Sequence, residues 1–236
     1  MVELIAEIGW NHLGDMGLAT SMIEAAAESG ADYAKFQTFS LDRLRPGPWD
    51  NDGRKDLYKK AELSYENHLL LRDCCYGNGL KFMSTAFCVE DAKLLRDVSD
   101  KCIKIPSLEL RNRDLLCYCN DNFRRVFVST GTSTMAEVAL ASALVDSKKL
   151  TLLHCVSCYP CPPENANLPR IEDLQELSKS VGYSDHVLGI HAAMASLAYD
   201  VVVIEKHFTT DKSLPGRDNA YAITPDEMSE LSEYIN

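Results

Sequence analysis

The sequence predicts an α/β fold closed into a (β/α)8 TIM barrel, and three observations carry that expectation. Eight short apolar runs recur along 236 residues, helix-like polar stretches separate them, and the length suits one barrel, typically about 250 residues. Strict alternation of strand and helix argues for a parallel sheet. An open doubly wound sheet of eight strands would usually need more chain and a Gly-rich first turn, and no GxGxxG follows the first run.

The first run, ELIAEIG, is followed by TSMIEAAAESG, a helical stretch whose closing glycine can take a left-handed cap. DYAKFQT comes next, then about 40 residues before LKFMSTA, far more than a loop of about 4 to 6 residues plus a helix. The first half of that gap, SLDRLRPGPWDNDGRKD, is rich in Pro, Gly and Asp and reads as a long loop within about residues 39–64, with Pro46 to Gly53 as a lid. The second half, SYENHLLLRDCCYGNG, reads as the helix returning to the barrel. CIKIPS, VFVSTG, LTLLHC and VGYSDH supply the fourth to seventh strands. After VFVSTG, TMAEVALASALVDS opens on Thr134 as a helix cap, with Glu137 three residues on. The eighth strand starts in the unbroken β-branched run Val201 to Ile204, buried on both faces, and TPDEMSELSEYIN reads as the last helix. The expectation is one barrel over residues 1–236, with no linker and no second domain.

Composition narrows the function. No apolar run approaches the roughly 18 residues of a membrane span, and the start lacks the pattern of an export signal, so a cytoplasmic protein is expected. Nine cysteines, an odd number, read as reduced thiols. With 24 basic against 35 acidic residues, net −11, a nucleic-acid surface is not expected. Any anionic substrate must have its charge met locally.

In such barrels chemistry sits at the C-terminal ends of the strands, and here those ends are polar: Glu7; Lys35 and Gln37; Ser84 and Thr85; Lys104, Ser107 and Glu109; Ser129 and Thr130; His154; Ser184, Asp185 and His186; Glu205, Lys206 and His207. Alternation puts Lys35 and Gln37 on one face and sets Lys104 opposite Ile103 and Ile105, which points the lysines inward. Glu205 and His207 share a face, and Lys206 takes the other, where a salt bridge to a surrounding helix would hold it. His186 and His207 end adjacent strands, so a metal ion could bridge them, with water or substrate completing its shell. Imidazoles favour zinc or iron and a water-rich shell favours manganese or magnesium, so the residues alone leave the ion open. Two lysines with Thr85, Ser107, Ser129 and Ser184 suit an anion carrying phosphate and carboxylate. Cys155, Cys158 and Cys161 lack a distant CxxC partner and read as thiols rather than a metal site. His68 and His191 read as surface and helix residues, and His12 lies in the loop after the first strand.

Taken together, AEIGWNHLGD, AKFQTF, FMSTAF, KIPSLE, STGTST, LLHCVSCYPCP, GYSDH, EKHFT and LPGRD resemble the sialic acid synthase family over almost the whole chain. The resemblance implies a barrel that condenses phosphoenolpyruvate with an N-acetylated aminosugar aldehyde to give a nonulosonic acid and phosphate. It implies His186 and His207 as ligands of a divalent metal, usually Mn²⁺ with Mg²⁺ or Co²⁺ possible. Lys35, Lys104, Thr85, Ser107, Ser129 and Ser184 then hold phosphoenolpyruvate, Glu7 stands near the reacting centre, and Gln37, Glu109, Tyr159 and Asp218 line the sugar. Either Glu7 or Glu109 could move the proton. Ser157 stands where family members often have asparagine, and Pro106 and Leu108 replace a glycine-rich version of the fourth motif. Many members carry a C-terminal antifreeze-like domain that acts across a dimer; with the chain stopping at Asn236, the expectation is a short form or a separate protein carrying that domain. A Schiff-base aldolase using Lys35 or Lys104 and a barrel that only binds a phosphorylated ligand are the alternatives.

Overall fold

A computed structural model describes residues 2–44, 46, 47 and 51–236 of the chain. Eight parallel strands, β1 (Glu3–Gly9), β2 (Tyr33–Thr38), β3 (Lys81–Ala86), β4 (Cys102–Ile105), β5 (Arg125–Ser129), β6 (Leu150–His154), β7 (Val181–Asp185) and β8 (Val203–His207), pair in chain order and close as β8 meets β1. The expected TIM barrel is therefore the fold. Val201 and Val202 precede the last strand rather than opening it.

Helices follow each strand. α1 (Met16–Glu28) starts earlier than its apolar run, because Asp15 caps it through the Leu18 N–H, and Gly30 after it takes φ +81°. The long second connection holds two helices: α3 (Tyr65–Gly77) is the expected returning helix, whereas α2 (Arg54–Ala61) lies within the stretch of about 39–64 read from sequence as loop. The expected lid from Pro46 to Gly53 lies partly outside the described residues. α4 (Val89–Val98), α5 (Arg113–Asn122), α6 (Met135–Ser142), α7 (Arg170–Gln175) and α8 (His191–Ser196) follow β3 to β7, and α9 (Arg217–Tyr221) with α10 (Pro225–Ile235) follow β8. Thr134 and Glu137 form the expected capping box on α6, and Thr224 with Glu227 repeat it on α10.

Alternation along the strands divides their side chains into an outer and an inner set. Outward residues such as Leu4, Phe36, Ile103, Val126 and Ile204 pack under the helices as the main core. Inward residues form three tiers. At the bottom Glu3 accepts from Tyr33 and Lys81 and pairs with Arg125. Above it Ile5, Met83, Phe127, Leu153 and Val203 make an apolar plug. The top tier is charged, and the plug beneath it closes that tier off from water on one side.

Candidate active site

Parity brings Glu7, Lys35, Lys104 and Glu205 into the top tier, all 2–6% exposed. Lys35 Nζ lies 2.7 Å from Glu7 Oε2 and donates to Thr85 Oγ1 at 3.0 Å. Lys104 Nζ donates to both oxygens of Glu205 at 2.8 Å, and Ser184 Oγ donates to Glu205 Oε1 at 2.9 Å. Lys35 reaches the same carboxylate at 3.6 Å, so Glu205 is the hub that joins the two lysines.

The two carboxylates differ in kind. Burial alone would raise both, but the Lys104 and Lys35 ammonium groups overrule it at Glu205 and hold that carboxyl far below its usual range. At Glu7 burial outweighs Lys35, the Glu205 charge adds to it, and the carboxyl sits above its ordinary value. Glu205 is thus a fixed anion, whereas Glu7, oriented by Gln37 Nε2 at 2.8 Å, is the carboxyl disposed to carry a proton.

His186 and His207 stand at the rim of this tier with ring centroids 5.7 Å apart. Burial pulls both imidazoles down to about 4, which leaves them neutral near pH 7. His186 Nδ1 donates to the Val156 carbonyl at 2.7 Å, so its Nε2 presents a lone pair. His207 Nδ1 is buried without a hydrogen bond among the described residues, 3.9 Å from Asp218 Oδ2. Two neutral imidazoles, one of them orphaned, fit a cation held by these two ligands with its other positions left to water and substrate oxygens. No third His, Cys, Asp or Glu joins them in a metal cluster among the described residues.

The expected site residues all line one cavity of about 870 Å³: Glu7, Lys35, Gln37, Thr85, Lys104, Ser107, Glu109, Ser129, Ser157, Tyr159, Ser184, His186, His207 and Asp218. Glu109 accepts from Asn112 at 2.8 Å, Asp218 accepts from the Tyr221 hydroxyl at 2.7 Å, and Tyr159 packs on His186 with centroids 4.1 Å apart. Other strand-end residues turn away. Ser84 bonds Thr38, which also holds His68, so His68 is buried between Thr38 and Ser64 rather than on the surface. His154 reaches the Ala166 carbonyl. Lys206 faces outward as expected, yet its partner is Asp185 on β7 and not a helix. Each of the three loop thiols has its own contact, Cys155 with Ser107, Cys158 with Pro160 and Cys161 with Pro162.

Sequence reasoning placed Glu205 at the end of β8 on the face of His207 but gave it no role, and it passed over Arg217 and Tyr221 as cavity residues. What the shared face could not show is that Glu205 meets Lys35, Lys104 and Ser184 there. Arg217, stacked 5.4 Å over Tyr159, and Tyr221 come from α9, whose five residues carry no strand or helix period to read.

Gly131 sits where the β4, β5 and β6 loops meet, and a Cβ there would lie 2.5 Å from Ser157 Oγ and 2.9 Å from Ser107 Oγ and Cys155 Sγ. Gly131→Ala is expected to slow turnover by roughly tenfold to a hundredfold through sub-ångström displacement of these groups. The melting temperature should move little; kinetics and thermal denaturation on one preparation check both.

A pH effect follows from His12, His186 and His207, each held by burial at about 4 against 6.5 in the unfolded chain. Between these values the unfolded chain takes up protons that the folded one refuses. Their stabilisation is complete above pH 6.5 and is lost as pH falls towards 4, several kcal/mol in total as an order of magnitude of about 1.4 kcal/mol per unit. Urea midpoints measured from pH 7 to 4.5 should drop steeply; a flat profile would contradict the assignment.

Comparison with known proteins places the chain. The NeuB family profile matches residues 22–236. The chain is 38% identical to the N,N'-diacetyllegionaminic acid synthase of Legionella pneumophila, over 98% of this chain and 70% of that protein. It is 31% identical to a pseudaminic acid synthase of Campylobacter jejuni, over 99% of this chain and 73% of that protein. The crystal structure of N-acetylneuraminic acid synthetase from Leptospira borgpetersenii, in complex with citrate, matches with a TM-score of 0.92 at 35% identity, covering 99% of this chain and 82% of that one.

Proposed function

Because the chain belongs to the NeuB family, we propose that it condenses phosphoenolpyruvate with an N-acetylated aminosugar aldehyde, giving a nonulosonic acid and phosphate. The observation that carries the reading is the top tier itself: two buried lysines bridged by Glu205, beside two neutral histidines, in one cavity. A plain structural core has no use for such a set. Names of related synthases for legionaminic, pseudaminic and N-acetylneuraminic acids support a nine-carbon product and leave the acceptor a class.

Lys35 and Lys104, neutralised by carboxylates in the free protein, offer ammonium groups to the carboxylate and phosphate of phosphoenolpyruvate. The hydroxyls of Thr85, Ser107, Ser129 and Ser184 complete that anion site. Gln37, Glu109, Ser157, Tyr159 and Asp218 face the sugar. His186 and His207 would hold a divalent cation, most simply Mn²⁺ with Mg²⁺ or Co²⁺ as alternatives, which would supply Lewis acidity to the aldehyde. C3 of phosphoenolpyruvate bonds to the aldehyde carbon, water adds at C2, and the tetrahedral centre collapses with loss of phosphate through C–O cleavage. Glu7, the carboxyl disposed to hold a proton, transfers protons between the water and the new hydroxyl, while Glu205 keeps the lysines in place.

The cavity mouth leaves Leu108 67% exposed, and an antifreeze-like domain, in reach through a second copy of the chain, is its proposed cover. No helix among the described residues is long and apolar enough to cross a membrane, and the free thiols suit the reducing cytoplasm as its location. Mass spectrometry of the product tests the reaction: the expected mass is sugar plus phosphoenolpyruvate plus water minus phosphoric acid. A lysine adduct trapped by borohydride with a keto substrate would favour the Schiff-base aldolase instead.

A further inference from the structure

Lys206 is 2% exposed and points away from the cavity, into the layer between barrel and helices. Its ammonium donates to Asp185 Oδ2 at 3.0 Å and to the Val187 carbonyl at 2.6 Å. Asp185 Oδ1 in turn accepts from the Val187 N–H at 2.8 Å and the Tyr183 hydroxyl at 3.0 Å. Asp185 and Val187 are the two chain neighbours of His186, and Lys206 is the residue before His207. The ammonium therefore grips both sides of one imidazole from the backbone position next to the other.

The β7–β8 register runs Tyr183–Ile204, Ser184–Glu205 and Asp185–Lys206, and stops there. His186 lies just past that last rung, where the side-chain bonds of Lys206 take over from backbone pairing. A buried ion pair that meets no substrate is a poor source of stability, because apolar residues of the same volume often serve as well or better. Registry is the use for which such pairs are best attested.

We infer that the Lys206–Asp185 pair is a positioning device that fixes the separation of the His186 and His207 imidazoles for a shared divalent cation. The inference rests on the cation reading of the site given above. Neither residue touches the cation; both act through the strand ends.

The test is Mn²⁺ binding to the full chain without substrate, followed by electron paramagnetic resonance of free Mn²⁺, for wild type and for Asp185→Asn/Lys206→Met. The double variant removes both charges together, so no lone charge is left buried. Mn²⁺ affinity is expected to fall at least about tenfold, the lower end of what outer-shell partners of metal ligands contribute. The melting temperature should stay near that of wild type, and saturating Mn²⁺ should restore phosphate release. A folded double variant with wild-type Mn²⁺ affinity overturns the inference and leaves the cation reading standing. Wild type that binds no Mn²⁺ overturns both. Should the double variant not fold, Asp185→Asn/Lys206→Leu, which likewise leaves no lone charge buried, is read in the same way.

Discussion

Alanine at His207 is expected to lower phosphate release by about a thousandfold or more while the barrel stays folded. The size follows from removing a Lewis acid at a developing charge, where losing even one well-placed stabilising donor costs about 10²–10³ in rate. The fold should survive because the side chain lost is neutral and its Nδ1 already lacks a hydrogen bond among the described residues. Deletion of its packing against Tyr221, 5.0 Å away between centroids, should lower stability by about 1–3 kcal/mol, a shift of several degrees in melting temperature. Steady-state assay with added Mn²⁺, beside thermal denaturation, separates the two effects. Turnover that persists in the variant and ignores a chelator would contradict the role given to the histidine pair.

The second large effect concerns Lys104. Lys104→Met leaves the Glu205 carboxylate buried with only Ser184 at 2.9 Å and Lys35 at 3.6 Å. Removing one member of a buried pair typically costs about 3–5 kcal/mol, because the other charge stays behind without compensation. Adding Glu205→Gln should return much of that stability, since an amide can still accept from Ser184 and carries no charge. Activity should not return with it, because the ammonium proposed to meet the phosphoenolpyruvate anion is still missing. Urea unfolding and phosphate release on the single and double variants check this. A double variant within tenfold of wild-type turnover would remove Lys104 from the anion site.

The barrel was legible because β-strand parity and apolar runs are local signals. The run around Phe36 or Val126 fixes its own strand whatever its neighbours do, and inward Lys35, Lys104 and His207 follow from the same parity. Partners were harder. Lys206 was placed on the outer face, but its pairing with Asp185 depends on strand register across 21 residues of chain, which no local pattern encodes. His68 was misplaced to the surface because a histidine on a polar helix gives no sign of the Thr38–Ser84 pair it packs against. The role of Glu205 as a hub appears only once β2, β4, β7 and β8 meet inside the barrel. That the Glu7 carboxyl is raised and the Glu205 carboxyl lowered depends on charge distances, which are three-dimensional from the start.

The most direct test of the central claim is phosphate release from phosphoenolpyruvate by the purified chain, with and without Mn²⁺, EDTA, N-acetylmannosamine and its 2,4-diacetamido relatives. Release that requires both an aminosugar and the metal is the expected result, and the sugar giving the highest rate identifies the acceptor. Release that needs no sugar, or none from any sugar with metal present, would contradict a synthase built on this cavity.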